Sequence, residues 1–167
     1  MNFQELWDNV SQNIVDVLST NTGLQFFAKN RAKFEGWMKV ELCGVLSKYT
    51  SDIIPEKNRI DIVVENWAIE LKTINTNYRC ENVENKIRPI TKNIQSVIDD
   101  INQLKNNSEY TNKAVAFIVF PLPQNNTDKW IQHIDKIKNE LDAIKEIDFK
   151  FANNIRGRFY LGLIKNT

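Results

Sequence analysis

The chain has 167 residues, of which 42% are hydrophobic and 26% are charged. This length predicts one compact domain over residues 1–167, with a substantial core. The formal net charge of +1 excludes a globally basic nucleic-acid binder, so a surface for nucleic acid would have to be a local basic patch.

The cysteine and histidine content excludes several classes of metalloprotein. Cys43 and Cys80 have neither the spacing of metal ligands nor the density of a disulfide scaffold, which predicts free thiols in a reducing compartment. A single histidine, His133, cannot supply a zinc finger, a zinc hydrolase or a histidine-metal nuclease motif, and we expect it at the surface. The sequence has no signal peptide and no apolar run of membrane-spanning length, so we expect a cytoplasmic protein without a membrane partner.

The N-terminal part of the chain predicts helices. Apolar residues recur at helical spacing from Phe3 to Leu18, which predicts a first helix that extends the core of the domain. A second helix is predicted from Gln25 to Tyr49, with a break near Asn30.

Two glutamates of the second predicted helix are candidates for a functional site. On a helical wheel Glu41 falls between Trp37 and Val45, near the centre of the apolar face, whereas Glu35 falls at its edge. An acid that points at the core needs a partner. That partner is either a buried cation or backbone group, or a neighbouring acidic site, and the spacing leaves both open.

Residues 59–73 carry the strongest local pattern. Two runs rich in β-branched and aromatic residues flank Glu65-Asn66, which predicts a tight β-hairpin. A loop at these two residues would create the following pairs on one core-facing side: Val64 with Trp67, Ile62 with Ile69, and Ile60 with Leu71.

The other face of this hairpin would bring two acids together. Asp61 would lie directly opposite Glu70, with Lys72 further along the same strand, and like charges placed so are destabilising. A divalent cation would relieve the repulsion, since Mg²⁺ is bound by one or two carboxylates together with water and phosphate oxygens. The alternative is an ordinary amphipathic hairpin whose solvated outer face carries two acids and a lysine.

Cations and one tyrosine outside the hairpin are candidate nucleic-acid contacts. Residues 75–88 are polar and without periodicity, which predicts a long loop, and long loops in compact domains are often functional. A solvated loop is the alternative. A basic turn is predicted over 154–158. The candidate contacts are Arg59, Tyr78, Arg79, Lys86, Arg88, Arg156 and Arg158.

The remaining elements follow from hydrophobic periodicity. A short strand within 51–58 contains Pro55, which suits the edge of a sheet. The continuous apolar run over 113–120 predicts a central strand buried on both faces. Further elements are a helix over 90–104, a helix over 128–144, and strands over 148–151 and 158–164.

The order of these elements resembles the PD-(D/E)XK nuclease superfamily, which has a restriction-endonuclease-like fold. The resemblance rests on Asp61 in the first hairpin strand and Glu70-Leu71-Lys72 in the second, and covers about residues 30–120. It implies an α/β domain whose central mixed β-sheet is flanked by α-helices. The helix over 3–18 would be an N-terminal extension, and the helix and strands over 128–165 would complete the domain. The proline of the family motif is absent, because Ile60 precedes the aspartate.

The resemblance implies a Mg²⁺-dependent or Mn²⁺-dependent endonuclease that hydrolyses phosphodiester bonds of nucleic acid, with DNA the expected substrate. Asp61, Glu70 and the Leu71 carbonyl would ligate the metal, and Lys72 would position the attacking water. Many members add a glutamate from the preceding helix, and Glu41 matches it better than Glu35. The glutamine-tyrosine helix signature of the exonuclease branches is absent, which favours an endonuclease.

Two other functions fit the same sequence. The chain could be a nucleic-acid-binding or assembly subunit that keeps the nuclease fold without turnover, or a structural domain with an exposed charged face. Symmetric cleavage of two strands would require a homodimer or a partner subunit, because one small chain covers little duplex. Metal binding discriminates, since only the nuclease function requires it.

Overall fold

The computed structural model describes residues 1–123 and 128–165. This part of the chain contains five helices and six strands. The helices are α1 (Phe3–Thr20), α2 (Leu24–Asn30), α3 (Glu35–Leu46), α4 (Ile90–Lys105) and α5 (Asp128–Lys138). The strands are β1 (Ile53–Lys57), β2 (Ile60–Val64), β3 (Trp67–Asn75), β4 (Asn112–Phe120), β5 (Leu141–Lys150) and β6 (Arg156–Ile164).

The six strands form one mixed sheet in the order β1-β2-β3-β4-β6-β5. Strands β3 and β4 are parallel, and the other neighbours are antiparallel. Helix α4 connects the parallel pair, as such a crossover requires. The domain is therefore α/β, with a mixed sheet flanked by helices, as the sequence predicts. None of the described helices has both the length and the apolar character needed to cross a membrane.

Apolar side chains pack on both faces of the sheet. Helices α1, α2 and α3 cover one face, and α4 and α5 cover the other. Strand β4 contributes to both: Ala116 and Ile118 pack into the first cluster, and Val115 and Phe117 into the second. The predicted central strand is thus confirmed, and its continuous apolar run is explained by burial on two sides.

The N-terminal half agrees closely with the sequence pattern. Helix α1 begins with a capping box between Asn2 and Glu5, which satisfies backbone N–H groups of the first turn. The predicted break near Asn30 is confirmed, because Arg31 at φ 53 ends α2 in the left-handed conformation. Strand β1, with its proline, lies at the edge of the sheet, where a missing N–H is tolerated.

The hairpin register is confirmed except at its open end. Ile62 pairs with Ile69 and Val64 with Trp67, and these four side chains pack into the first cluster. Ile60 does not join them, because it packs into the second cluster. The β2–β3 ladder ends at Ile62, so the first residues of β2 diverge from β3 and follow a different pleat.

Two predictions for the C-terminal part are wrong. The helix predicted over 128–144 ends at Lys138, and Leu141 and Ile144 belong to β5. Pairing with β6 along the whole length of β5 overrides the helical spacing. The basic residues of the predicted turn over 154–158 lie in β6 instead. A Cβ atom on Gly157 would approach Phe149 Cζ to 2.5 Å, so glycine allows this close pairing.

The cysteines and the histidine carry no metal site in the described residues. Cys43 and Cys80 are free thiols, as expected, and both are half-buried. His133 on α5 is half-buried rather than exposed, and its buried Nδ1 atom has no hydrogen-bond partner among the described residues.

Candidate functional site

Asp61 and Glu70 meet where the β2–β3 hairpin opens. Beyond the last ladder pair, the backbone N–H of Leu71 donates to Asp61 Oδ2 at 2.8 Å instead of to a β2 carbonyl. Asp61 and Glu70 adjoin the last ladder pair, Ile62 with Ile69, and their carboxyl groups share a hydrogen bond. Glu70 is only 6% exposed. The two acids therefore interact in a partly desolvated position.

The two carboxyl groups differ in protonation. Burial, reinforced by the hydrogen bond and the charge of Asp61, raises the pKa of Glu70 to about 9. Burial also disfavours the charged form of Asp61, but hydrogen bonds from Lys39 and Leu71 outweigh it and hold the pKa of Asp61 below its usual value. At neutral pH the pair therefore retains one proton, which Glu70 donates to Asp61.

Lys39 links this pair to helix α3. Its Nζ lies 2.7 Å from Asp61 Oδ1 and 2.9 Å from Glu56 Oε1 on β1. Burial opposes its charge, yet these two acids raise the pKa of Lys39. Lys39 was not among the predicted site residues. Its position one helical turn after Glu35 is the sequence feature that could have pointed to it.

Lys72 is paired with an acid on α4, the helix that covers the face of the sheet opposite α3. Its Nζ lies 2.9 Å from Asp100 Oδ2 on α4. Burial disfavours the ammonium, but Asp100 and other nearby carboxylates raise the pKa of Lys72, so it is a cation at neutral pH. Asp100 was also missed, although its spacing from Val97 and Leu104 places it on the buried side of α4.

The glutamate that α3 directs at β3 is Glu35 rather than Glu41. Glu35 Oε1 accepts hydrogen bonds from the Thr73 backbone N–H at 2.9 Å and from the Thr73 hydroxyl at 3.2 Å. Glu41 is half-buried, and no hydrogen bond or ion pair within the described chain joins it to Asp61, Glu70 or Lys72. The geometry thus favours the second-ranked glutamate of the sequence analysis.

The helical wheel placed Glu41 near the centre of the apolar face of α3 because that face was centred on the wrong residues. The side chains that α3 buries are Met38, Leu42, Val45 and Leu46. Glu35 precedes Met38, Leu42 and Leu46 by three, seven and eleven residues, which is the spacing of one helix face. Including Trp37, which is only partly buried, shifted the predicted face toward Glu41.

The predicted loop between β3 and α4 is confirmed, and a buried arginine holds it. Arg31 is 1% exposed, and its guanidinium donates to the carbonyls of Thr76 at 2.6 Å, Tyr78 at 2.6 Å and Glu84 at 2.8 Å. These contacts fix the loop against the end of α2. No sequence motif distinguished Arg31 from surface cations.

The candidate nucleic-acid contacts divide into two groups. Arg59, Arg79 and Lys86 are exposed, and Tyr78 and Arg88 are half-buried. Arg156 and Arg158 lie on β6 and pair with β5 acids: Arg156 with Asp148 at 3.5 Å, and Arg158 with Glu146 at 3.3 Å and also with Asp148. The charges of the β6 arginines are therefore already balanced within the domain.

The oxygen atoms at the hairpin belong to two carboxyl groups and one backbone carbonyl, and their fit to a metal ion can be compared with known preferences. Among residues 1–123 and 128–165, no group of three or more His, Cys, Asp or Glu side chains is arranged to hold a metal. The site offers two carboxylates, and Mg²⁺ is bound by one or two, with waters and substrate oxygens completing its shell. The N–H and C=O of a strand residue point to the same neighbour, so the Leu71 carbonyl faces the opening that contains Asp61.

In comparisons with known proteins, no family model, curated protein or solved structure matches this chain.

Proposed function

We propose that the protein is a metal-dependent nuclease, an endonuclease that hydrolyses phosphodiester bonds of DNA, with Mg²⁺ or Mn²⁺ as its cofactor. The observation that carries the proposal is the pair formed by the buried Glu70 and the half-buried Asp61 beside the Lys72 ammonium. Two acids that share a proton form a site in which a divalent cation replaces that proton. The restriction-endonuclease-like fold is part of the same proposal, supported by the order α3-β1-β2-β3-α4-β4.

Three groups of the hairpin would hold the cation: the carboxylates of Asp61 and Glu70 and the Leu71 carbonyl. When bound, the cation lowers the pKa of a coordinated water and neutralises charge on the phosphate. Glu70 would have to release its proton to solvent in order to act as a ligand, because ligation favours the ionised carboxylate.

Lys72 acts as a hydrogen-bond donor rather than as a base, because it is already protonated. Its ammonium holds the attacking water and stabilises the charge that develops on the phosphate. Asp100 is a positioning residue that orients this ammonium through the 2.9 Å ion pair. Lys39 positions Asp61 in the same way from α3. Glu35, rather than the predicted Glu41, fixes α3 against β3 beside the site through its hydrogen bonds with Thr73.

The proposal is tested by incubating the protein with supercoiled plasmid, single-stranded DNA and RNA, with Mg²⁺ or Mn²⁺. Lys72→Ala is the diagnostic variant. Lys48→Ala is the matched control, since Lys48 is an exposed lysine that follows the C-terminal end of α3, away from the hairpin residues. We expect plasmid nicking or linearisation by the native protein and by Lys48→Ala, and a loss of about 100-fold or more in Lys72→Ala. No cleavage by the native protein, or equal cleavage by both variants, would contradict the proposal.

A further inference from the structure

A basic cavity lies at the N-terminus of α4, beside the proposed catalytic site. It has a volume of ≈ 320 Å³ and is lined by Arg31, Ala32, Lys33, Asn75, Arg88, Pro89 and Asn93. These residues belong to the described part of the chain and include three cations and no acid. A concave, positively charged site of this kind suits an anion.

Helix α4 directs its positive end at this cavity. Its N-cap is Pro89, which provides no side-chain cap, and its first turn contains no acid. The N–H groups of a first helical turn, combined with the helix dipole, favour a negative ligand. At sixteen residues, α4 is long enough for this effect.

Two buried polar groups in the cavity lack partners among the described residues. Arg88 Nε and Asn75 Oδ1 are both buried without a hydrogen bond, and Asn75 as a whole is 2% exposed. Buried polar groups without a partner are rare and costly, so each needs an explanation, and a bound ligand is one. Arg88 Nε is a donor, and rotating the Asn75 amide by half a turn makes its NH₂ group a second donor. Small side-chain shifts would turn both donors toward an acceptor-rich anion in the cavity.

Not all three cations that line the cavity have hydrogen-bond donors left for a ligand. Arg31 contributes charge only, since its guanidinium is committed to three loop carbonyls. Lys33 lies 3.8 Å from Glu35 Oε1 and its side chain is 48% exposed, so it is free to reorient. Arg88, Lys33 and the helix N-terminus therefore remain to bind an anion.

We propose that this cavity binds a phosphate group of the nucleic-acid strand that the hairpin site cuts. The identity of the strand rests on the proposed function. Asn75 lies three residues beyond Lys72 on β3, a separation of about 10 Å. A strand cut at the hairpin would pass this cavity within a few nucleotides of the scissile bond. A phosphate held in the cavity would therefore set the position of the scissile bond.

The test measures binding of fluorescent oligonucleotides in Ca²⁺, with Arg88→Gln and Lys33→Gln as the cavity variants. Lys48→Gln is the control for loss of one positive charge, because Lys48 lies beyond the other end of α3. We expect each cavity variant to weaken binding by about tenfold, the factor for losing one charged hydrogen bond. Each should also reduce the salt slope by about one. Lys48→Gln should change binding by less than about twofold. Melting temperatures identify any variant that fails to fold. If Arg88→Gln does not fold, the binding measured for Lys33→Gln decides whether the cavity contributes.

The source of the phosphate is distinguished by comparing 5′-phosphorylated with 5′-hydroxyl strands. Tighter binding of the phosphorylated strand, lost in Arg88→Gln, would identify a terminal phosphate. Equal binding of both strands, with the Arg88→Gln defect retained, would identify an internal phosphodiester. Cavity variants that bind like Lys48→Gln would overturn the proposal even if the Lys72-dependent cleavage is observed. A cavity effect without any cleavage would support phosphate binding by the cavity and contradict the nuclease function.

Discussion

The interaction of the buried Glu70 carboxyl group with Asp61 is expected to make the stability of the protein depend on pH. Glu70 has a folded pKa of about 9 and an ordinary value of 4.5. Between these values the folded state binds more protons than the unfolded state. The free energy of unfolding therefore falls as pH rises through that window, and the stabilisation is complete only below its lower limit.

Glu70→Gln is expected to remove this pH dependence, since the amide remains neutral throughout. We expect urea unfolding in EDTA to show the native protein losing stability between about pH 5 and pH 9, while the variant stays nearly level. Glu41→Gln, a glutamate on α3 without a site contact, serves as the control and should follow the native protein. Parallel curves for native protein and Glu70→Gln would show that the two carboxyl groups are not coupled.

The choice between Glu35 and Glu41 is also testable by single substitutions. Glu35→Ala would leave the N–H and hydroxyl of Thr73, which is 1% exposed, without their acceptor. We expect a loss of about 1–3 kcal/mol in the free energy of unfolding and weaker cleavage. Glu41→Ala should cost less than about 0.5 kcal/mol. Chemical denaturation measures the loss of stability in both variants. A larger loss in Glu41→Ala than in Glu35→Ala would favour Glu41 as the site glutamate.

Individual elements were predictable where one local pattern determines them. The hairpin follows from alternation around Glu65-Asn66, and α4 from its apolar spacing. β5 could not be predicted from local spacing, because its conformation is imposed by pairing with β6. Asp100 and Lys39 could not be assigned roles for the same reason, since each pairs with a residue on a strand distant in sequence.

Three hydrogen bonds from the Arg31 guanidinium hold the loop between β3 and α4, together with backbone contacts such as that of the Glu84 N–H with the Lys29 carbonyl. We expect Arg31→Met to lower the free energy of unfolding by about 2 kcal/mol, because one buried and two partly buried carbonyls lose their donor. The rate of limited proteolysis within residues 76–89 should rise by more than the loss of global stability would account for. Arg79→Met, an exposed cation of the same loop, is the control. Equal protease sensitivity of the two variants would mean that Arg31 does not hold the loop.

At the scale of the whole molecule, the sheet brings together five charged residues from four separate elements. The site combines Asp61 from β2, Glu70 and Lys72 from β3, and Lys39 and Asp100 from helices on opposite faces. The sequence predicted the α/β class and the hairpin part of this cluster, which is local. It could not predict the two helical partners, because their positions follow from how α3 and α4 pack onto the sheet.

The most direct test of the account is a calorimetric titration of the purified protein with Mn²⁺ at neutral pH. Asp61→Asn is the site variant, and Asp52→Asn, an exposed aspartate before β1, is the control. We expect one bound Mn²⁺ in the native protein and in Asp52→Asn, with binding lost in Asp61→Asn. We also expect proton release on binding, seen as a dependence of the heat on the buffer. No binding, or unchanged binding by Asp61→Asn, would contradict a metal site at the hairpin.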